Sequence, residues 1–380
     1  MKKDNKLPLY ILFALVGVAL VWRIANPPAA RLPGPVGQFP GWKSVATLGV
    51  MSSQAVNPSG TMWAGAWNET LATGQTRSAV RIIDFNDYST KACAMPDGVK
   101  VDCLSWADDN TVRAFCIGSK MEGQVVYVDV AAGKKHSEVG LNRRITRVIA
   151  WPATSDNPAV VLDETDKQMQ LAVVSTSGKQ IVGTVISFDM PKDSGPAPGA
   201  GVAADGASFV FSISDPAAKD GRSCYLADTR TGTTKKMFDL GDVPGRIEGI
   251  WPSAAGVLMV CNVKDKLEDV VFDPATGKLS EQRGGVGDLG KWPGAPKSIA
   301  LTSYDGGFEF DLATGKTKMV FDLTKKTSQP DKLWRDMIRE SRFYRLKSGG
   351  FVTVSETSGA IDIRELRADG AWYRNLLPRM

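Results

Sequence analysis

The stretch Val270-Val-Phe-Asp-Pro-Ala-Thr-Gly-Lys278 decides the reading of this 380-residue chain, because variants of it return at a nearly constant interval. In each copy an apolar run ends in an acid, a Thr-Gly or Ala-Gly turn follows, and a basic or polar residue opens the next run. The closest copies are Tyr127-Val-Asp-Val-Ala-Ala-Gly-Lys134, Tyr225-Leu-Ala-Asp-Thr-Arg-Thr-Gly232 and Phe310-Asp-Leu-Ala-Thr-Gly-Lys316. Ile83-Asp84-Phe85 and Ile361-Asp362-Ile363 are looser, and Val174-Ser-Thr-Ser-Gly-Lys179 carries Ser175 in place of the acid. With anchors at 84, 129, 175, 228, 273, 311 and 362, the gaps are 45, 46, 53, 45, 38 and 51 residues.

A second marker keeps the same beat. Asn57-Pro-Ser-Gly60, Asp108-Asp-Asn110, Ser155-Asp-Asn157, Ala204-Asp-Gly206, Ala254-Ala-Gly256 and Ser348-Gly-Gly350 are residues that reach positive φ or bond their own backbone, and so mark chain reversals. Gly256 and Gly350 lie 94 residues apart, two periods, so one marker is missing. It falls in the short unit around Ser298 to Asp311, which is expected to hold only three good strands. Val112–Ile117, Ser208–Ile213, Val257–Cys261 and Phe351–Val354 are β-rich runs of the length that fills a buried inner strand. Short strands on a period of 40 to 50 residues predict an all-β, seven-bladed β-propeller over residues 42–380, with six to eight blades fitting the spacing. A Greek-key sandwich has no reason to repeat its turn chemistry on that period.

Trp106-Ala-Asp-Asp-Asn110, Trp151-Pro-Ala-Thr-Ser-Asp-Asn157, Val202-Ala-Ala-Asp-Gly206 and Trp251-Pro-Ser-Ala-Ala-Gly256 make the chain resemble the TolB-type, WD-repeat-like propellers. Their units run Trp-Ser-Pro-Asp-Gly at the first turn, then a strand, an aspartate and a Thr-Gly turn. The resemblance spans roughly residues 45 to 375, with no intact Ser-Pro-Asp-Gly. It implies the fold and says nothing of the partner.

Composition narrows the chemistry. A formal charge of +5 without interleaved stacking aromatics argues against nucleic acid. Cys93, Cys103, Cys116, Cys224 and Cys261 form no Cys-x-x-Cys pair, which leaves no zinc ribbon, haem-attachment or dithiol motif. They read as small buried residues, with a Cys103–Cys116 disulfide across one hairpin as the alternative. The single histidine, His136, is placed in an exposed turn and cannot supply a triad or a multi-histidine metal site. Asp108-Asp109, Asp163-Glu-Thr-Asp166 and Glu268-Asp269 read as turn acids rather than an acid/base pair or calcium loop. Trp106, Trp151 and Trp251 read as packing between blades. No catalytic residue, cofactor or metal is expected.

The N-terminus supplies an address. Lys2, Lys3 and Lys6 precede Leu7–Ile24, an apolar run of 18 residues that spans about 27 Å as a helix. This predicts a signal anchor at 7–24, with Leu9, Tyr10, Phe13 and Trp22 in lipid and Arg23 snorkelling to the surface; a removable signal peptide is the competing reading, and either exports the rest. Residues 1–6 are then cytoplasmic and the body lies on the periplasmic side of a bacterial-type inner membrane. Residues 25–41, with Pro27, Pro28, Pro33, Pro35 and Pro40, form an extended spacer. Pro191–Gly201 and Gly284–Pro296 are predicted contact loops. A basic helix is predicted at about 328–345, capped by Ser328, with an apolar stripe of Leu333, Trp334, Met337 and Ile338 flanked by Lys332, Arg335, Arg339 and Arg342. It is a candidate contact with a partner or with anionic lipid.

Together these features point to a non-catalytic scaffold or accessory subunit of a membrane complex, for example an energy-transducing one. Its partners would be membrane protein subunits, and lipid through the N-terminal helix. A carboxylate-dependent hydrolase or lyase in the propeller channel, and a ligand- or peptide-binding sensor, are the alternatives.

Overall fold

Each repeat folds on itself, because turns this short can only return the chain beside the strand it has just left. The computed structural model describes residues 50–378, apart from 72, 152–154, 204–205, 264–265, 283, 303–305, 323–341, 358–359 and 367–371. Its first four sheets are meanders of four strands each, in sequence order. Blade 1 is β1 (Val50–Val56), β2 (Met62–Thr70), β3 (Thr76–Asp84) and β4 (Thr90–Ala94). Blade 2 is β5 (Val99–Asp108), β6 (Thr111–Gly118), β7 (Glu122–Asp129) and β8 (Lys134–Arg144). Blade 3 is β9 (Arg147–Ala150), β10 (Ala159–Glu164), β11 (Gln168–Val174) and β12 (Ile181–Asp189). Blade 4 is β13 (Gly195–Val202), β14 (Ser208–Ser214), β15 (Arg222–Asp228) and β16 (Thr233–Asp239).

Blade 5 is β17 (Arg246–Ser253), β18 (Gly256–Val263), β19 (Lys266–Asp273) and β20 (Lys278–Gln282). Blade 6 shows three strands among the described residues, β21 (Ser298–Thr302), β22 (Gly306–Asp311) and β23 (Thr317–Asp322). Blade 7 is β24 (Arg342–Arg345), β25 (Phe351–Thr357), β26 (Ala360–Leu366) and β27 (Trp372–Pro378). The expected seven blades are there, and the short unit is the one with three strands.

Second strands are buried on both faces, as β6, β14 and β18 show, while fourth strands such as β8, β16 and β20 are polar and largely exposed. The sequence follows that gradient from the axis outward. First strands of successive blades touch, β1 to β5, β5 to β9, β9 to β13, β13 to β17 and β21 to β24.

Seven apolar clusters fill the seven spaces between neighbouring blades. Val80, Val101 and Trp106 join blades 1 and 2; Phe115, Val125 and Val160 join 2 and 3; Leu171, Phe209 and Phe211 join 3 and 4. Val210, Met259 and Phe272 join 4 and 5; Leu258, Trp292 and Phe310 join 5 and 6; Phe321, Phe351 and Leu366 join 6 and 7. Trp63, Trp67, Ile83, Val352 and Ile363 then join blade 7 back to blade 1 and close the ring. No described sheet mixes strands from the two ends of the chain, so among the described residues this last seam is made by packing and side-chain bonds rather than by strand pairing. Tyr344 Oη donates to Gln54 Oε1 at 3.2 Å, and Tyr88 Oη donates to Glu365 across it. Gly60, at φ 68, lies where an added Cβ would come within 2.7 Å of the Arg345 carbonyl oxygen, so only glycine lets the first turn of blade 1 sit this close to blade 7.

The structure revises several boundaries. Since β21 occupies the first-strand position, Asp311 ends a second strand, and the third ends at Asp322. Asp362 lies inside β26, paired with Ser355 and Leu376, and that third strand ends at Leu366. With Asp322 and Leu366 as anchors the last two gaps become 49 and 44, and no outlier of 38 remains. The missing first-turn marker falls at Gly306, which opens β22, 50 residues after Gly256 and 44 before Gly350. Pro191–Gly201 is not one loop: from Gly195 it becomes β13, whose irregular pairing between Ala197 and Gly201 accommodates the prolines. The Gly284–Pro296 connection is anchored by Trp292, 7% exposed, between blades 5 and 6. His136 lies in β8, exposed, and not in the turn before it.

Candidate functional site

An antiparallel meander sorts its connections onto two rims. First turns and third turns share one rim, and these carry the Asn/Gly and Asp/Thr-Gly chemistry that makes the repeat visible. Second turns and the crossings between blades share the other, and they vary. Among the described second turns the longest is residues 215–221, between β14 and β15. Variable loops on a rigid scaffold are where binding chemistry concentrates.

A cleft of about 620 Å³ opens on this variable rim between blades 4 and 5. Val210 and Ser212 of β14, Cys224 of β15, and Ile247 and Ile250 of β17 line it, and Leu240, Val243, Pro244 and Gly245 of the crossing close one side. Two short 3-10 turns, Lys219–Gly221 and Leu240–Asp242, shape the mouth. In the second, Asp239 and Asp242 form a reciprocal capping box, which satisfies N–H groups a single turn leaves open. Lys219 Nζ bonds Asp242 Oδ1 at 3.4 Å and ties the two turns together. Gly245 lies where a Cβ would stand 2.1 Å from the Asn262 carbonyl oxygen, so a side chain there would push the crossing off blade 5.

Charge is arranged unevenly around the cleft. Burial alone would raise the Asp239 carboxyl, but hydrogen bonds from Lys236, at 2.7 Å, and Ser223, at 2.7 Å, outweigh it and hold it below the usual carboxylate range. Asp215, 5% exposed, also lies 3.1 Å from Ser223 Oγ. Cys224 is 5% exposed, and burial pushes its thiol to about 11 against the opposing pull of Arg222. The floor is therefore neutral and apolar. Arg222, half-buried on the lip, has no guanidinium hydrogen bond or ion pair among the described residues. A second cleft of about 410 Å³ opens on the same rim between Gly74, Lys100, Ile117, Met121 and Thr146.

The residues singled out from the sequence fall elsewhere. Leu9, Tyr10, Phe13, Trp22 and Arg23 of the expected anchor lie outside the described residues, as do Lys332, Leu333, Trp334, Arg335, Met337, Ile338 and Arg339. Arg342 opens β24, paired with Val354, so the chain is already a strand where the predicted helix was to continue to about 345; Arg342-Phe-Tyr-Arg345 is an aromatic, β-favouring run. No helix among the described residues is long and apolar enough to cross a membrane.

The acid pairs are dispersed. Asp108 Oδ1 accepts from the Asn110 backbone at 2.7 Å, and Asp109 Oδ1 from the Ser59 backbone at 2.9 Å, a tie between blades 1 and 2. Asp163 pairs with Arg144 at 3.4 Å and Glu164 with Arg147 at 3.3 Å. Asp269 is no turn residue: it sits inside β19, 2% exposed, with Oδ2 lacking a hydrogen-bond partner. Burial there, aided by Glu268, raises its carboxyl to about 6 against its own backbone N–H. No group of three or more His, Cys, Asp or Glu able to hold a metal occurs among the described residues.

Trp106, Trp151 and Trp251 all pack between blades as expected, Trp106 donating to the Ala55 carbonyl at 3.2 Å and Trp151 lying under Arg113 at 4.7 Å. The Cys103–Cys116 disulfide is not formed. Cys116 faces blade 1 and Cys103 faces blade 3, and side chains on opposite faces of one sheet cannot be bridged.

No protein family matches the chain, and no curated protein does. Among solved structures it is similar to the β-propeller domain of the trilobed protease from Pyrococcus furiosus, at 10% identity over 88% of this chain and 93% of that one, TM-score 0.43. It is also similar to the Dos1 propeller, at 14% identity over 81% and 90%, TM-score 0.40. A third likeness, to the acylaminoacyl peptidase of Pyrococcus horikoshii, has 12% identity over 86% of this chain and 52% of that one, TM-score 0.42.

Proposed function

We propose that this chain is a non-catalytic docking subunit: a propeller held to a membrane by Leu7–Ile24, spaced from it by the proline-rich segment, and binding a membrane protein subunit through its variable rim. The observation that carries the reading is the blade 4–blade 5 cleft, an apolar hollow on the rim whose connections differ from blade to blade. Its volume is in the range that takes a few side chains of a partner. The acid pairs singled out from the sequence are engaged apart from one another, with Asn110, Ser59, Arg144 and Arg147, which favours docking over a carboxylate enzyme built on them, since a hydrolytic pair needs two carboxyl groups facing one space. The lysines before Leu7 support a cytoplasmic N-terminus, which puts the propeller on the periplasmic side.

Purification from native membranes in mild detergent tests this. The full chain is expected to leave the membrane with a stoichiometric partner, and Leu240→Glu, on the half-buried edge of the cleft, is expected to lose it. A wild-type chain that runs alone, or a variant that keeps its partner undiminished, would sink the reading.

A further inference from the structure

The cleft between blades 4 and 5 also carries information about what it binds. Its floor, Val210, Cys224, Ile247 and Ile250, offers no charge, because burial keeps the one thiol there protonated. Four of the surrounding charges are already paired with one another. Lys219 is joined to Asp242 at 3.4 Å, and Lys236 to Asp239 at 2.7 Å. Asp220 lies against the 3-10 turn opposite, where its Oδ2 stands 2.6 Å from the place a Cβ on Gly241 would take.

Arg222 is different. It lines the same hollow, its guanidinium makes no hydrogen bond or ion pair among the described residues, and its backbone is fixed in β15 by pairing with Ser214. A planar fork of donors held beside an apolar floor is complementary to a carboxylate flanked by an apolar group. The net charge of the whole chain, +5, favours the approach of the same class of partner.

We infer that the blade 4–blade 5 cleft takes an extended acidic-apolar segment of the partner protein: one apolar side chain seated on Val210, Ile247 and Ile250, and a neighbouring Asp or Glu side chain paired with Arg222. This rests on the docking reading above and adds the chemistry that would select the partner. The bond is a hydrogen-bonded ion pair at the edge of an apolar surface, where water competes less than on an open lip. Such a pair separates an acid from its amide by about 10-fold or more in affinity.

The test uses the full chain in detergent and two fluorescent probes, a six-residue blocked peptide with a Leu-Phe-Glu-Leu centre and its Glu-to-Gln counterpart. The acid peptide is expected to bind at least about 10-fold more tightly than the amide peptide, with the difference shrinking as salt rises. Arg222→Gln is expected to erase the difference while retaining the weaker affinity, and Arg222→Glu to invert the preference; near-ultraviolet circular dichroism matching wild type shows that both variants fold. Equal binding of the two peptides, no binding of either, or an unchanged preference in Arg222→Gln overturns the inference. Its failure is separable from that of the docking reading. If the peptides are not discriminated yet Leu240→Glu still releases the partner, the charge chemistry is wrong and docking stands. If they are discriminated yet Leu240→Glu retains the partner, the cleft recognises such segments but the partner docks elsewhere.

Discussion

Replacing Asp269 by Asn should change the stability of the ring in a way that depends on pH, and the size of the change can be worked out in advance. Asp269 sits in the third strand of blade 5, 2% exposed, with one carboxylate oxygen unpartnered. Its carboxyl titrates at about 6 in the fold against 3.8 unfolded, chiefly because burial disfavours the charge. Well below the unfolded value of 3.8 the group is neutral in both states and has no effect on the folding equilibrium. As pH rises from there the unfolded chain ionises first, so the native state loses stability, and the loss is complete once pH passes the folded value. Two pKa units correspond to about 3 kcal/mol. Asn cannot ionise, so Asp269→Asn removes that loss. Its amide brings a fixed cost of its own, about 1 to 3 kcal/mol if its N–H₂ finds no acceptor, but a fixed cost cancels when two pH values are compared. Equilibrium urea unfolding of both proteins, followed by tryptophan fluorescence at pH 4 and pH 8, should therefore show the variant gaining about 2.5 kcal/mol relative to wild type between the two, since the unfolded chain is already partly ionised at pH 4. A difference that stays flat within about 0.5 kcal/mol would refute the placement of this carboxylate in a dry interface.

Three further outcomes can be checked. Tyr88→Phe removes the phenol that donates to Glu365 across the blade 7–blade 1 seam and so takes one charge-assisted hydrogen bond from a mostly buried carboxylate, which should destabilise the ring by about 1 to 3 kcal/mol in the same unfolding experiment. Arg113→Lys should cost about 3 kcal/mol or more, because one ammonium cannot replace a guanidinium that bonds Ser105 at 2.9 Å, the Trp106 carbonyl at 3.1 Å and Asp156 while stacking on Trp151; a change within about 0.5 kcal/mol would contradict that geometry. All five cysteines should be recovered as thiols by mass spectrometry after denaturation in alkylating reagent. In the native protein Cys103 and Cys261, which burial raises to about 12, should alkylate far more slowly than once unfolded, and a mass two hydrogens short would reveal a bridge.

The architecture was legible because a propeller repeats its turns. Asn57-Pro-Ser-Gly60 and Asp273-Pro-Ala-Thr-Gly277 are local solutions to reversing a chain, and the same solution recurs wherever the same rim does. Local chemistry also caused the errors. Phe310-Asp-Leu-Ala-Thr-Gly315 is as good a turn after a second strand as after a third, and nothing within those residues tells which strand precedes them. The prolines of Pro191–Gly201 read as loop because a first strand that tolerates irregular pairing is rare enough to pass unnoticed. The cleft was not legible at all. Val210, Arg222 and Ile247 come from three strands of two blades, and each alone looks like an ordinary residue in a β-hairpin. The one available signal was the length of the connection from Asp215 to Gly221, which exceeds its equivalents in other units. Asp269 was hidden for a related reason: an acid beside Glu268 looks solvated until the next blade is packed over it.

The central claim is that the variable rim, at the blade 4–blade 5 cleft, is the surface this propeller uses to hold a membrane partner. A photo-crosslinking amino acid placed at Leu240 on that rim, and in a second strain at Ala275 on the opposite one, tests it most directly in intact membranes. The account predicts one dominant adduct of defined mass from position 240 and none from position 275. An adduct from 275 with none from 240, or none from either, would contradict it.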